Sequence, residues 1–330
     1  MRWTHLLGLI IGVILLAVLP FAGLPPYFVS LLTQTFIFGI AAAGLDLLVG
    51  RTGMVSFSQA AFFGLGAYSV GLLTTRLHIE SFPVILITGI VAAVVVAALF
   101  AAVALRGSGV SYLIITLALN QVVWGLAFQW VSLTGGENGI SGFMRPRLGP
   151  LDLSGSAEYY LFSLVVMLIC LYLLWLIAHS PFGLVLQGIR EQPRRMRALG
   201  YNVWGYQFTA SLIAAAFAGI AGVLFAYYNL FVSPANLSLA VSTQILIMVI
   251  LGGSGTILGP VAGAGIITFL SNTISGYTER WQIILGAVYV LVVMYAPDGL
   301  SGLVRRMRGL AQLFSEKKAN SEPVALHAKD

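Results

Sequence analysis

"PVILITGIVAAVVVAALFAAVAL", residues 83–105, runs for 23 residues without a charged side chain, and Thr88 is its one hydroxyl. Wound as an α-helix it would be about 35 Å long, enough to cross a hydrocarbon core of roughly 30 Å. Comparable apolar runs lie on both sides of it. Ten hydrophobic segments can be drawn, at roughly 5–22, 28–49, 58–75, 83–105, 111–133, 159–178, 206–229, 240–252, 257–274 and 281–297. The eighth is short for a full crossing and reads as a half-helix or one arm of a re-entrant hairpin. The expected fold is an all-α, polytopic transmembrane bundle with eight to ten full spans. The period-2 alternation of a membrane barrel is absent.

Composition points the same way. Hydrophobic residues make up 59% of the chain and charged residues 8%, with a mean hydropathy of +0.96. An ordinary soluble domain carries roughly 25% charge, so a water-soluble fold is excluded. The net charge of +6 therefore reports orientation rather than nucleic-acid binding. If the N-terminus is cytosolic and every segment crosses, thirteen Lys and Arg face the cytosol and four (Arg76, Arg145, Arg147 and Arg280) face outward. The positive-inside rule then predicts that both termini are cytosolic. Arg2 and the apolar Leu6–Leu19 stretch read as a retained first helix rather than a cleaved signal, because further spans follow. Residues 1–305 form the expected membrane domain, and 306–330 a basic, polar cytosolic tail.

Catalytic motifs are scarce. His5, His78, His179 and His327 are far apart, and Cys170 is alone, so neither metal-ligand spacing nor a disulfide is available. "LGGSGTILGP" (251–260) is Gly-rich but lacks the Lys-Ser/Thr that a phosphate-binding loop needs. ATP hydrolysis by this chain, and a cofactor of its own, are not expected. Polar residues within the apolar segments become the candidate pathway: Asp46, Ser56, Gln59, Asn120, Gln121 and Gln244. Asp46 can also pair with Arg51 or water, and Asn120 and Gln121 can serve as interhelical hydrogen-bond partners. Segments 28–75 and 240–274 share an outline of apolar run, Gly-rich break and small-residue helix, which suggests an internal repeat.

One stretch concentrates charge. In "HSPFGLVLQGIREQPRRMRALGYNVWGY" (179–206), Arg190, Glu191, Arg194, Arg195 and Arg197 fall within eight residues, in a chain with only 17 basic and 11 acidic residues. Ser180-Pro181 is a helix start, Pro193 a break or second start, and Gly200 a left-handed stop. A mere anchor loop needs no such punctuation, so the cytosolic loop at about 179–205 is a candidate docking element.

"IREQPRRMRALGYNV" (189–203) resembles the coupling segment of permease subunits of ATP-binding-cassette importers for branched-chain amino acids, of the LivM type. Ile189, Arg190, Glu191, Arg194, Arg195, Ala198, Leu199 and Gly200 carry the match. Three further blocks agree in order: "GLDLLVGRTGMVSFSQAAFFGLGAY" (44–68), "VSLTGGENGI" (131–140) and "LGGSGTILGPVAGA" (251–264). The resemblance implies a subunit that couples through those eight residues to one of two cytosolic ATPase subunits, which bind ATP and magnesium. It also implies a second permease subunit, as a heterodimer, and an extracytoplasmic binding protein that delivers substrate. Glu137, Arg145 and Arg147 are candidate contacts for that binding protein. Relatives of this kind also serve urea, amides and aromatic acids. The rival readings are a stand-alone secondary transporter or channel, and a membrane scaffold. Two positions depart from the pattern: Gln59 stands where histidine is frequent, and Gln192-Pro193 where acidic residues are.

Overall fold

The computed structural model describes residues 12–21, 23, 25–148 and 151–277 and five positions between 283 and 290, the side chains of 147, 148 and 151 excepted. Both chain ends, the tail at 306–330 and most of the segment expected at 281–297 lie outside the described residues. The bundle is built from α1 (Pro26–Asp46), α2 (Gln59–Arg76), α3 (Phe82–Ala104), α4 (Val110–Gln129), α5 (Ser156–His179), α6 (Pro181–Glu191), α7 (Pro193–Ala198), α8 (Val203–Asn229), α9 (Leu239–Gly252) and α10 (Gly259–Ser275). An apolar helix, Gly12–Phe21, precedes them. Proline stands in the first turn of α1, α3, α6, α7 and α10, where its missing N–H would have had no intrahelical acceptor.

Among the described residues, five helices are long and apolar enough to cross a membrane: Pro26–Thr52, Phe82–Ala104, Val110–Gln129, Ser156–His179 and Val203–Asn229. The 14 residues of α9 would reach only about 21 Å, short of a straight crossing. The segment expected at 111–133 ends earlier, at Gln129, and one separate turn follows over Val131–Thr134. The Thr134 hydroxyl meets the Ala127 and Trp130 carbonyls at 2.6 and 2.8 Å, occupying acceptors that the helix end leaves free. Two short antiparallel pairs, which the all-α expectation did not include, close the loops at this end. They are β1 (Ile140–Ser141) with β4 (Phe231–Val232), and β2 (Arg147–Leu148) with β3 (Leu151–Asp152).

Helix α8 packs against α1, α2 and α3, while α1 also contacts α5 and α10. In lipid, apolar side chains gain little by leaving their surroundings, so close contact and interhelical hydrogen bonds must hold such helices. Small residues supply the contact where α2 crosses α8. A Cβ on Gly222 would overlap the Phe63 carbonyl, and one on Gly66 would overlap the Gly219 carbonyl. By contrast, α4 is peripheral and buries only Tyr112, Thr116, Asn120 and Ala127. On α3 the side chains of Val84, Ile87, Val91, Val95 and Leu99 form an exposed apolar stripe at helical spacing.

Helix α1 does not end cleanly. It widens into a π-helical turn, Leu47–Thr52, which Gly53 closes in the left-handed region at φ +73°. An extended stretch then leads to α2. The α9–α10 pair has a similar interruption at 253–258, where Gly253 and Gly255 have φ +98° and +86°. The two interruptions meet: a Cβ on Gly50 would lie 2.6 Å from Gly255 Cα.

Candidate functional site

Three groups of residues fall at different depths of the bundle. The first is the charged segment. Ser180 Oγ accepts the Gly183 N–H at 3.4 Å and caps α6. Gln192, held extended at φ −149° before Pro193, separates α6 from α7. Gly200, at φ +88°, follows α7, and Asn202 caps α8 by accepting the Gly205 N–H at 3.1 Å.

Helix α6 has two unlike faces. Gly183, Leu186 and Ile189 are buried, the last two completely, against the bundle. Glu191, Arg194, Arg195, Arg197, Ala198, Leu199 and Gly200 are exposed. Arg190 differs from its neighbours, because its Nη1 donates to the Gly50 carbonyl in the π turn. The eight coupling candidates therefore divide into a buried anchor (Ile189) and seven exposed positions, of which Arg190 also makes this inward bond.

The second group surrounds the start of α2. Ser56 and Ser58 share a hydrogen bond of 2.8 Å. Ser242 Oγ of α9 donates to the Phe57 carbonyl at 2.6 Å and accepts the Ala60 N–H at 2.8 Å. Asn120 of α4 accepts the Ala61 N–H at 2.9 Å and donates to the Leu237 carbonyl at 3.0 Å. Thr116 accepts the Phe57 N–H at 3.2 Å. Side chains from α4 and α9 thus take up the N–H and C=O groups that an intramembrane break exposes. Gln59 sits among them with no solvent exposure, yet neither polar atom of its amide has a partner among the described residues.

Ser56, Gln59 and Asn120 of the candidate pathway gather here. Gln121 lies on the exposed side of α4 and Gln244 is half-buried on α9. Asp46 is at the other end of the break and accepts the Gly255 N–H at 2.8 Å. Thr116 and Ser242 were missed by the sequence reading. A hydroxyl inside an apolar run satisfies its own helix in most cases; Thr116 does so too, donating to the Leu113 carbonyl at 2.9 Å, and only the meeting of three elements shows that it also serves Phe57.

The third group is at the opposite end from α6. Glu137 is exposed in a 3-10 turn, Gly136–Asn138. Arg145 turns inward: Nη1 donates to the Ser154 and Gly155 carbonyls at 3.0 and 3.3 Å, Nε to the Tyr227 carbonyl at 3.4 Å, and the guanidinium lies 4.8 Å from the Tyr159 ring centroid. It staples the loop preceding α5 to α5 and α8 while one wall of a cavity of about 690 Å³ forms around it, with Glu80, Phe143, Asp152 and Tyr227. The side chain of Arg147 is outside the described residues.

Residues 27–293 match the family described as the permease component of branched-chain amino acid transport systems. The chain is 29% identical to the high-affinity branched-chain amino acid transport system permease protein LivM of Salmonella typhimurium, over 88% of this chain and 75% of that one. It is also 29% identical to LivM of Escherichia coli, over 84% and 70%. The corresponding LivH permease protein of Salmonella typhimurium is 22% identical, over 80% and 91%. No solved structure is significantly similar. With five helices among the described residues long and apolar enough to cross a bilayer, and a match over most of its length, this multi-pass membrane protein belongs to the family of branched-chain amino acid transport permease components.

Proposed function

We propose that the chain is the permease subunit of an ATP-binding-cassette importer in the cytoplasmic membrane, translocating branched-chain amino acids or similar small solutes. It pairs with a second, related permease subunit. Two cytosolic ATPase subunits bind ATP and magnesium, and an extracytoplasmic binding protein delivers the solute. The chain itself is not an enzyme. The observation that carries this reading is the α6–α7 segment: a capped helix with one face seated in the bundle, a proline-started helix after it, and a set of exposed arginines that a membrane anchor would not need to hold in register.

The residues assign the steps. Loaded binding protein docks near Glu137, and ATP closes the ATPase pair. That closure pushes on Glu191, Arg194, Arg195, Ala198, Leu199 and Gly200, and α6 carries the push into the bundle. The solute passes the polar layer at Ser56 and Gln59, with Gln121 and Gln244 on adjoining surfaces. Both termini are cytosolic in this arrangement.

The test is reconstitution of the chain in proteoliposomes with its partner permease, ATPases and binding protein. Leucine uptake should require ATP and every component. Uptake by this chain alone, driven by a gradient, would replace the importer by a secondary carrier or channel. Binding-protein-stimulated ATPase activity without leucine uptake would retain the architecture and change the solute.

A further inference from the structure

Three chain segments remote in sequence meet at one point: the π turn after α1, the 253–258 interruption between α9 and α10, and the last turn of α6. Gly50 and Gly255 are in backbone contact, so close that a Cβ on Gly50 would overlap the Gly255 N–H nitrogen and the Asp46 carboxylate. Two charged side chains tie the junction. From α1, Asp46 Oδ1 accepts the Gly255 N–H at 2.8 Å. From α6, Arg190 Nη1 donates to the Gly50 carbonyl, and its stem crosses Gly53, where an added Cβ would lie 3.2 Å from Arg190 Cγ. The same Nη1 lies 3.7 Å from where a Gly255 Cβ would be.

The bonds fit the local chemistry. A helix end leaves carbonyls without intrahelical donors, and an interruption leaves N–H groups without acceptors. Arg190 takes one of the former and Asp46 one of the latter. Among the described residues, Arg51 and Arg190 are placed to attract the Asp46 carboxylate, and such attraction is stronger in a low-dielectric surrounding than in water. Beside Asp46 and Arg51, a cleft of about 20 Å³ closed by Leu174, Ala178 and Ile257 has room for one bridging water.

We propose that Asp46 and Arg190 form a clasp through which displacement of α6 reaches both intramembrane interruptions at once. This assignment rests on the importer reading and deepens it. Arg190 is then a positioning residue within the subunit, distinct from the exposed arginines of α7 that meet the ATPase. Because Leu186 and Ile189 are wholly buried on the adjoining face of α6, the helix cannot slide over the bundle without carrying its contacts along. The clasp decides where that movement goes. It links the coupling helix to the turn leading into α2, whose first residue is Gln59, and to the turn leading into α10.

The experiment uses the complete reconstituted complex and measures three quantities: ATPase-subunit affinity, ATP hydrolysed, and leucine taken up. Arg190→Ala should lower uptake per ATP hydrolysed by roughly tenfold, the scale of one lost charge-assisted hydrogen bond, and by more than it lowers ATPase affinity. Arg194→Ala and Arg195→Ala should instead lower affinity and uptake together. Arg190→Lys keeps a donor for the Gly50 carbonyl and should recover most of the uptake per ATP. It also keeps the test open if the alanine variant does not assemble. Asp46→Ala should reproduce the Arg190→Ala phenotype, and Asp46→Asn, which retains an oxygen for the Gly255 N–H, should be milder. The clasp is overturned if Arg190→Ala loses uptake only in proportion to ATPase affinity, or leaves uptake per ATP unchanged. A wild-type complex with neither ATP-driven uptake nor ATPase activity stimulated by the binding protein would overturn the importer reading, and this proposal with it.

Discussion

Asn120 shows what one polar side chain does in this bundle. Its amide joins α4 to the start of α2 and to the Leu237 carbonyl, using both its oxygen and its nitrogen. Replacing it by leucine should cost about 1–3 kcal/mol, since both backbone partners stay buried. A lower melting temperature in detergent would register this, and the exposed neighbour Gln121→Leu should change it far less. Gln59 is the opposite case: its buried amide has no partner among the described residues. An unpaired buried amide opposes stability, so Gln59→Met should raise the melting temperature while lowering uptake. Unchanged uptake in that variant would remove Gln59 from the pathway.

At the scale of the element, the decisive feature is the interruption between α6 and α7. Pro193 forces Gln192 out of helical geometry, and the exposed arginines of α7 therefore project in a direction that a continuous helix would not give them. Pro193→Ala should let α6 and α7 join and weaken ATPase association by roughly tenfold. Association measured with purified ATPase subunit tests this independently of transport. The opposite loop makes a different prediction. Glu137 is exposed while Arg145 is spent on three carbonyls and an aromatic ring. Glu137→Lys should thus weaken stimulation by loaded binding protein, whereas Arg145→Ala should mainly loosen the loop at 141–155, an effect that proteolysis would detect.

The whole molecule places Glu137 and Arg195 at opposite ends of the bundle. In the proposed topology, with both termini in the cytosol, Glu137→Cys should react with a membrane-impermeant maleimide from outside intact cells, and Arg195→Cys only after the inner face is opened. Cys170 is buried and should not contribute background. Labelling of Arg195→Cys from outside would invert the topology.

The sequence by itself determined the helical membrane class and most helix positions. An uncharged run of about 20 residues has one low-energy state in lipid, a helix that satisfies its own backbone. Helices expected at 83–105, 206–229 and 240–252 occur at Phe82–Ala104, Val203–Asn229 and Leu239–Gly252. The caps at Ser180 and Gly200 were equally legible, because they depend on neighbours only a few residues away. What the tertiary structure alone decided is which of several similar polar groups meets which. Arg190 and Arg194 are four residues apart and chemically alike, yet of the two Arg190 bonds to the π turn while Arg194 is exposed on α7. Asp46 reaches Gly255, 209 positions further along the chain, rather than being explained by Arg51 alone. Such pairings follow from where two interrupted helices cross, a long-range packing outcome that local propensity and charge counts do not encode.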